Sequence, residues 1–140
     1  GWISVETPWD FEDRDQAWKP NALAYESGTG ASSLFYGLEQ SLKLLNETVL
    51  DRIDAHLLDL TDQLCEMLAG KDYNIISSRA PGEKSAIVCV KHRGGIHCSD
   101  IAAHLQKANI IVSPRDDRLR IAPHFYNTLE DVERLVAELP

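Results

Sequence analysis

An excess of positive charge is the first thing this chain lacks. Fourteen Lys and Arg stand against 22 Asp and Glu in 140 residues, a formal net charge of −8. Nucleic-acid binding needs a basic patch to neutralise phosphates, and an anionic membrane surface selects the same sign. Neither nucleic acid nor a membrane is therefore expected as a partner. No apolar run approaches the ~20 residues of a bilayer-spanning helix. The opening stretch, Gly1 to Asp15, is acidic and aromatic where a targeting signal would be basic and then apolar. Cysteine is scarce as well. Cys65, Cys89 and Cys98 are odd in number and scattered, so they build no disulfide framework, and a reducing cytoplasm is the expected location. There is no internal repeat and no low-complexity tract. An initiating methionine is also missing before Gly1-Trp2-Ile3, and a trimmed piece of a longer polypeptide is expected to begin this way.

What is present suffices for one core. Hydrophobic residues make up 44% and charged residues 26%, ordinary values for a domain of ~100–150 residues. Residues 1–30 have no sustained period, yet they hold all three tryptophans, Trp2, Trp9 and Trp18. They read as an irregular arm that would pack on another domain, with residues 31–140 as the domain proper. Leu34, Phe35, Leu38, Leu42 and Leu45 recur at helical spacing. A second helix is predicted from Thr48, capped by that residue with Asp51 three positions on. Its stripe runs Val49, Ile53, Leu57, Leu60, Leu64, Leu68, and Gly70 is expected to stop it. At 1.5 Å per residue such a helix is roughly 30 Å long.

The second half alternates differently. Tyr73 to Ser77 and Ser85 to Lys91 read as strands joined across Pro81-Gly82. Ser99 is expected to cap a helix carrying Ile101, Leu105 and Ala108. Two further strands, Ile110 to Ser113 and Arg118 to Ala122, are joined through Pro114-Arg115-Asp116-Asp117. Thr128 then caps a last helix with Leu129, Val132, Leu135, Val136 and Leu139 on one side. The expected fold is α+β: two N-terminal helices, then strand-strand-helix-strand-strand-helix, a small mostly antiparallel sheet with helices packed on one face.

Chemistry enters at the strand Arg118-Leu119-Arg120-Ile121-Ala122. Successive side chains point to opposite faces, so Leu119 and Ile121 go inward while Arg118 and Arg120 go outward. Spacing alone fits a solvated outer face, and it also fits a guanidinium held on a rigid strand to grip a carboxylate through two parallel hydrogen bonds. Near the start, Gly28-Thr29-Gly30 lies just ahead of a helix. It can present N–H groups and a hydroxyl to a phosphate, although a plain helix entry is the commoner use of such a run. His97, Cys98, Asp100 and His104 gather around a helix start without a recognised ligand spacing, so no metal site is expected. A helix N-terminus lowers a thiol pKa, which is the one argument for a reactive Cys98. Cys65 and Cys89 read as small core residues.

The run from Arg120 through Ile121-Ala122-Pro123-His124-Phe125-Tyr126-Asn127-Thr128 to Asp131 resembles the closing segment of the class V aminotransferases. That family, of the fold-type I pyridoxal-phosphate (PLP) enzymes, also takes in cysteine desulfurases, selenocysteine lyases and epimerase-like relatives. The resemblance implies that Arg120, six residues before Tyr126, binds the α-carboxylate of a small amino-acid substrate. His124, which follows Arg120 closely, is a minor candidate for substrate contact, and a loop residue hydrogen-bonded to backbone is the equal alternative. Tyr25-Glu26-Ser27-Gly28-Thr29 is similar to the family's aromatic-Glu-x-Gly-Thr segment. This implies that Thr29, with Gly28, reaches the cofactor phosphate of a neighbouring subunit. Two positions depart from the pattern: Ala24 stands where the family often has arginine, and Gly30 where it often has proline.

The resemblance covers nearly the whole chain and identifies it as the family's small C-terminal domain. It implies a large catalytic domain in the same polypeptide, bearing the Schiff-base lysine and the aspartate on the pyridine nitrogen, and a homodimeric parent. Lys19, Lys43, Lys71, Lys84, Lys91 and Lys107 have no matching context, so the chain alone is expected to be inactive. Desulfurases carry a cysteine shortly before the arginine. None lies between Ile110 and Arg120, which leaves transaminase, lyase or epimerase chemistry for the parent. The alternative is a free-standing α+β small-molecule-binding or regulatory module that senses an acidic metabolite through Arg118 and Arg120.

Overall fold

Tyr73, Val88, Val90, Leu119 and Ile121 alternate with polar neighbours along short strands, and all five are buried on one face of a four-stranded sheet. The computed structural model describes residues 1–140 and divides into two units, Gly1–Leu44 and Leu45–Pro140. The sheet belongs to the second. Along the chain the elements follow the expected order: α1 Ser32–Thr48, α2 Leu50–Leu68, β1 Tyr73–Ile75, β2 Val88–His92, α3 Cys98–Lys107, β3 Ser113–Arg115, β4 Arg118–Ile121 and α4 Leu129–Glu138.

The strands lie in the order β1-β2-β4-β3, and every neighbouring pair is antiparallel. β2 and β3 are therefore parallel to each other across β4, and α3 makes the crossover between them, as parallel strands require. Three helices cover the apolar face. Leu60, Leu64 and Leu68 come from α2, Cys98, Ile101 and Leu105 from α3, Val132 and Leu135 from α4, and Leu139 follows it. Burying one such aliphatic side chain is worth about 1.5–3 kcal/mol. The long β1–β2 connection is tied to α2 by charge. Arg79 Nη2 donates to Thr61 Oγ1 at 3.0 Å and to Asp62 Oδ1 at 2.6 Å, and Lys84 Nζ donates to Asp62 Oδ2 at 2.6 Å. The hydrogen bond from Lys84, and then that from Arg79, holds the Asp62 carboxyl below the usual carboxylate range.

In the first unit, residues before the helix are less irregular than their composition suggests. Val5 and Trp18 form an antiparallel bridge. Ser4, fully buried, donates to Glu26 O at 3.0 Å. Trp2 and Trp9 meet edge to face with ring centroids 4.8 Å apart, while Trp9 itself is 74% exposed. Helix α1 has no buried residue, and its apolar stripe of Leu34, Phe35, Leu38 and Leu42 is exposed.

Several boundaries differ from the sequence expectation. β1 stops at Ile75 and β2 runs Val88–His92, where Tyr73 to Ser77 and Ser85 to Lys91 were expected. Thr48 closes α1 instead of capping α2. The N-cap of α2 is Val49, at φ 66° and ψ 106°, with no side-chain cap. Gly70 is not a left-handed stop, because α2 ends on Ala69 in the right-handed region, with the Ala69 N–H bonding to Glu66 O and the Gly70 N–H to Met67 O. Helix α3 starts before Ser99, with His97 Nδ1 accepting from Ser99 N at 3.3 Å. Ile110 to Val112 lies outside the ladder, and β3 begins at Ser113 and takes in Pro114 and Arg115. Proline is tolerated there because β3 is the sheet edge and pairs on one side only. The hairpin turn shrinks to Asp116-Asp117, with Asp116 at φ 50°, a conformation aspartate accepts.

Val49 is β-branched and exposed, so its left-handed backbone is strain without compensating burial. Val49→Gly removes about 1–3 kcal/mol of strain against roughly 0.5–1 kcal/mol of added chain entropy. The expected outcome is a raised urea midpoint, a net gain of about 1 kcal/mol. A lowered midpoint at unchanged m-value contradicts it.

Candidate functional site

β4 is central in the sheet, and its alternation fixes what points outward. Leu119 and Ile121 are buried, Arg118 is exposed, and Arg120 is half-buried on the side away from the core. The register sets Arg120 between Cys89 of β2 and Ser113 of β3. Arg120 Nη2 donates to Ser113 Oγ at 3.4 Å. Its Nε is buried and has no partner. None of the chain's ion pairs includes it. A guanidinium carries five donors in a planar fork, and losing water without gaining an acid is costly. The arrangement presents a rigid, desolvated cation suited to a planar anion that takes two parallel hydrogen bonds. Arg118 shares this face, with Nε 3.5 Å from Asp117. Lys91 donates to Asp117 at 2.6 Å, and that bond holds the Asp117 carboxyl below its usual range.

Beyond β4 the chain turns through residues 122–128, and Asn127 organises the turn. Its Oδ1 accepts from His124 N at 2.9 Å, its own N donates to His124 O at 2.9 Å, and its O meets His56 Nε2 of α2 at 2.9 Å. Thr128 and Asp131 form a reciprocal capping box at the start of α4, as the sequence implies. The backbone N–H of Thr128, with the Asn127 amide second, keeps the Asp131 carboxyl below the usual range. His124 is exposed on this turn. Its ring stacks on Tyr126 at 5.0 Å and 23°, and no hydrogen bond joins it to Arg120. A shallow cleft nearby is lined by Ile110, Val112, Ile121, Pro123 and Asn127, and neither Arg120 nor His124 lines it.

Gly28 and Thr29 lie in the first unit. Gly28 has φ 155°, and a Cβ there would sit 2.8 Å from Trp2 Nε1, so only glycine fits beside the indole. Thr29 is exposed just ahead of α1. An accessible hydroxyl beside a helix start fits a phosphate oxygen. The lysines are engaged elsewhere: Lys19 with Ile3 O at 2.8 Å, Lys43 with Glu39 at 2.9 Å, Lys71 with Leu139 O at 3.2 Å, Lys84 with Asp62 and Lys91 with Asp117. Cys98 is buried and donates to Asp116 O at 3.2 Å, which anchors the β3–β4 turn. Burial pushes the Cys65 thiol up. No three His, Cys, Asp or Glu side chains are placed to hold a metal ion. Ser113, one immediate neighbour of Arg120, was not singled out from sequence, because only the strand register reveals it, and Cys89, expected as a small core residue, instead alternates outward from Val88 and Val90 and lies half-buried beside Arg120.

The chain matches the model of the family described as aminotransferase class-V over residues 9–135. An uncharacterized aminotransferase of Bacillus subtilis, YcbU, is 27% identical over 125 residues, 89% of this chain and 33% of that protein. The apo cysteine desulfurase of Thermococcus onnurineus superposes with a TM-score of 0.74 at 21% identity, covering 87% of this chain and 34% of that one. A mutant of C-DES with glycine covalently linked to its PLP cofactor superposes with a TM-score of 0.71 at 18% identity, over 98% of this chain and 36% of that one. At such identities the likeness to these structures is one of fold. The chain spans about a third of the length of the relatives it matches.

The capping box fixes where α4 begins and so where residues 122–127 lead. Thr128→Ala is expected to lower stability by about 1 kcal/mol, the usual cost of a lost N-cap. Denaturant unfolding checks this, and an unchanged midpoint removes the cap from the account.

Proposed function

The chain belongs to the aminotransferase class-V family, and we propose that it forms the C-terminal, substrate-clamping part of a larger PLP-dependent enzyme acting on an amino acid. The observation that carries this reading is Arg120: a half-buried guanidinium on a central strand, with a buried unpartnered Nε and no acid of its own chain. Arg120 takes the α-carboxylate of the substrate through its fork and orients the α-carbon. Ser113, through its 3.4 Å contact, steadies one arm of that fork. His124 is the second substrate contact, offered from the turn that Asn127 holds. Thr29, with Gly28 beside it, contacts the cofactor phosphate, in a homodimer where one subunit completes the site of the other.

PLP, when bound, supplies an electron sink for bonds broken at the substrate's α-carbon. The lysine that carries it belongs to the preceding large domain. What supports this is that five of the six lysines here are tied to partners away from Arg120 or to Asp117. The isolated chain is therefore inactive. Among the family's reactions, transamination, lysis or epimerisation suits this chain better than desulfuration. The β3–β4 turn has two residues, no cysteine lies between Ile110 and Arg120, and buried Cys98 is occupied beneath the turn. A cytoplasmic location agrees with three free cysteines. No helix is long and apolar enough to cross a membrane.

In the parent enzyme, Arg120→Ala is expected to weaken amino-acid binding by about 2–5 kcal/mol, as for other truncated charge pairs, while Arg120→Lys keeps part of it because the charge survives without the fork. Substrate titration of the two variants checks this. An Arg120→Ala enzyme with unchanged substrate affinity removes the clamp.

A further inference from the structure

Resting on Arg120 as the carboxylate clamp, we propose that the substrate carries a second anionic group, held by Arg118 and Arg115 in the next row of the same sheet face. The register places these residues together. Arg115 is the cross-strand partner of Arg118, and one step along β2 from the Val90–Leu119 pair brings Lys91 to the other side of Arg118. Three cationic residues thus stand side by side on neighbouring strands, whose backbones lie about 4.8 Å apart. Arg118 and Arg120 are two residues apart on β4, roughly 6.7 Å along the strand. Side chains rooted that far apart on one face can take the two carboxylates of one short ligand.

Charge points the same way. The chain as a whole is at −8, yet this face carries Lys91, Arg115, Arg118 and Arg120 against only Asp116 and Asp117 on the hairpin turn. Asp117 is taken up mainly by Lys91 at 2.6 Å, and it meets Arg118 only through Nε at 3.5 Å. Arg115 donates to the carbonyl of Pro114 at 2.9 Å and pairs with no acid. Like charges directly opposite one another on an antiparallel pair are destabilising. An anion between Arg115 and Arg118 relieves that repulsion, and Arg120 fixes the ligand's other end. A dicarboxylic amino acid satisfies both rows, whereas an amino acid with an apolar side chain leaves the second unpaired.

The test uses the full-length parent enzyme, its arginines labelled for NMR, and titrates acetate and the four-carbon dicarboxylate succinate at matched ionic strength. The guanidinium resonances of Arg115, Arg118 and Arg120 are followed. The expected result is that acetate moves Arg120, whereas succinate moves all three and binds on the order of threefold to tenfold more tightly, the scale of one further charged contact. Arg118→Gln then removes the advantage of succinate, so that the two ligands bind alike. Equal affinities with Arg120 responding to both would overturn the second subsite and leave the clamp standing. Succinate moving Arg115 and Arg118 without Arg120 would make the row an independent anion patch, against the two-point substrate. If Arg120 responds to neither ligand, the clamp fails and this inference fails with it.

Discussion

Leu119 and Ile121 sit in the core because β4 is paired on both sides, to β2 through Val88 and Val90 and to β3 through Ser113 and Pro114. That double pairing leaves Arg120 no choice of face. A slip of one residue would send two aliphatic side chains to solvent and two guanidinium groups into the apolar cluster, a change of many kcal/mol. The same pairing sets Ser113 and Cys89 beside Arg120 and lines up Lys91, Arg118 and Arg115 in the next row. The chemistry of the outer face is thus a consequence of packing on the inner one. The helices α2, α3 and α4 take part in it only by covering Val88, Val90, Leu119 and Ile121.

Rigidity around that strand comes from small polar devices. Cys98 at the start of α3 donates to Asp116 O, so the turn that follows β3 is tied to the helix that precedes it. Asn127 closes the segment after β4 and is itself held by His56 of α2 and Asp131 of α4. A binding arginine works best when its neighbours do not have to reorder around the ligand. On β4, both ends of the strand lead into segments already fixed by hydrogen bonds.

The order of elements was legible in the sequence because periods of 3.6 and 2 are strong over stretches such as Leu57 to Leu68 and Val88 to Lys91. The ends of elements were less legible. Thr48 and Asp51 have the spacing of a cap, but the first helix keeps Thr48 in its last turn and hands the junction to Val49 in a conformation that no local preference favours. Ile110-Ile111-Val112 has strand composition, yet it runs ahead of the edge strand, between α3 and the ladder that starts at Ser113. Arg120 was singled out as a candidate by alternation together with the resemblance of the segment ending at Asp131. Ser113 and Cys89 were out of reach as its neighbours, and Arg115 as the partner of Arg118, because cross-strand register is a property of pairing between distant segments. The close approach of Trp2 to Gly28 belongs to the same class, since nothing local in the sequence brings an indole 26 residues away to that backbone.

The central claim is that this chain is the substrate-clamping part of a longer PLP enzyme, in keeping with its span of about a third of the relatives it matches. The most direct measurement is the nucleotide sequence immediately upstream of the Gly1 codon. The account predicts an open frame running on for roughly twice the length of this chain, in keeping with the relatives, and containing a lysine in a short loop some way before Gly1. A start codon directly before Gly1 contradicts it, for the chain would then be a whole protein without a lysine for the cofactor.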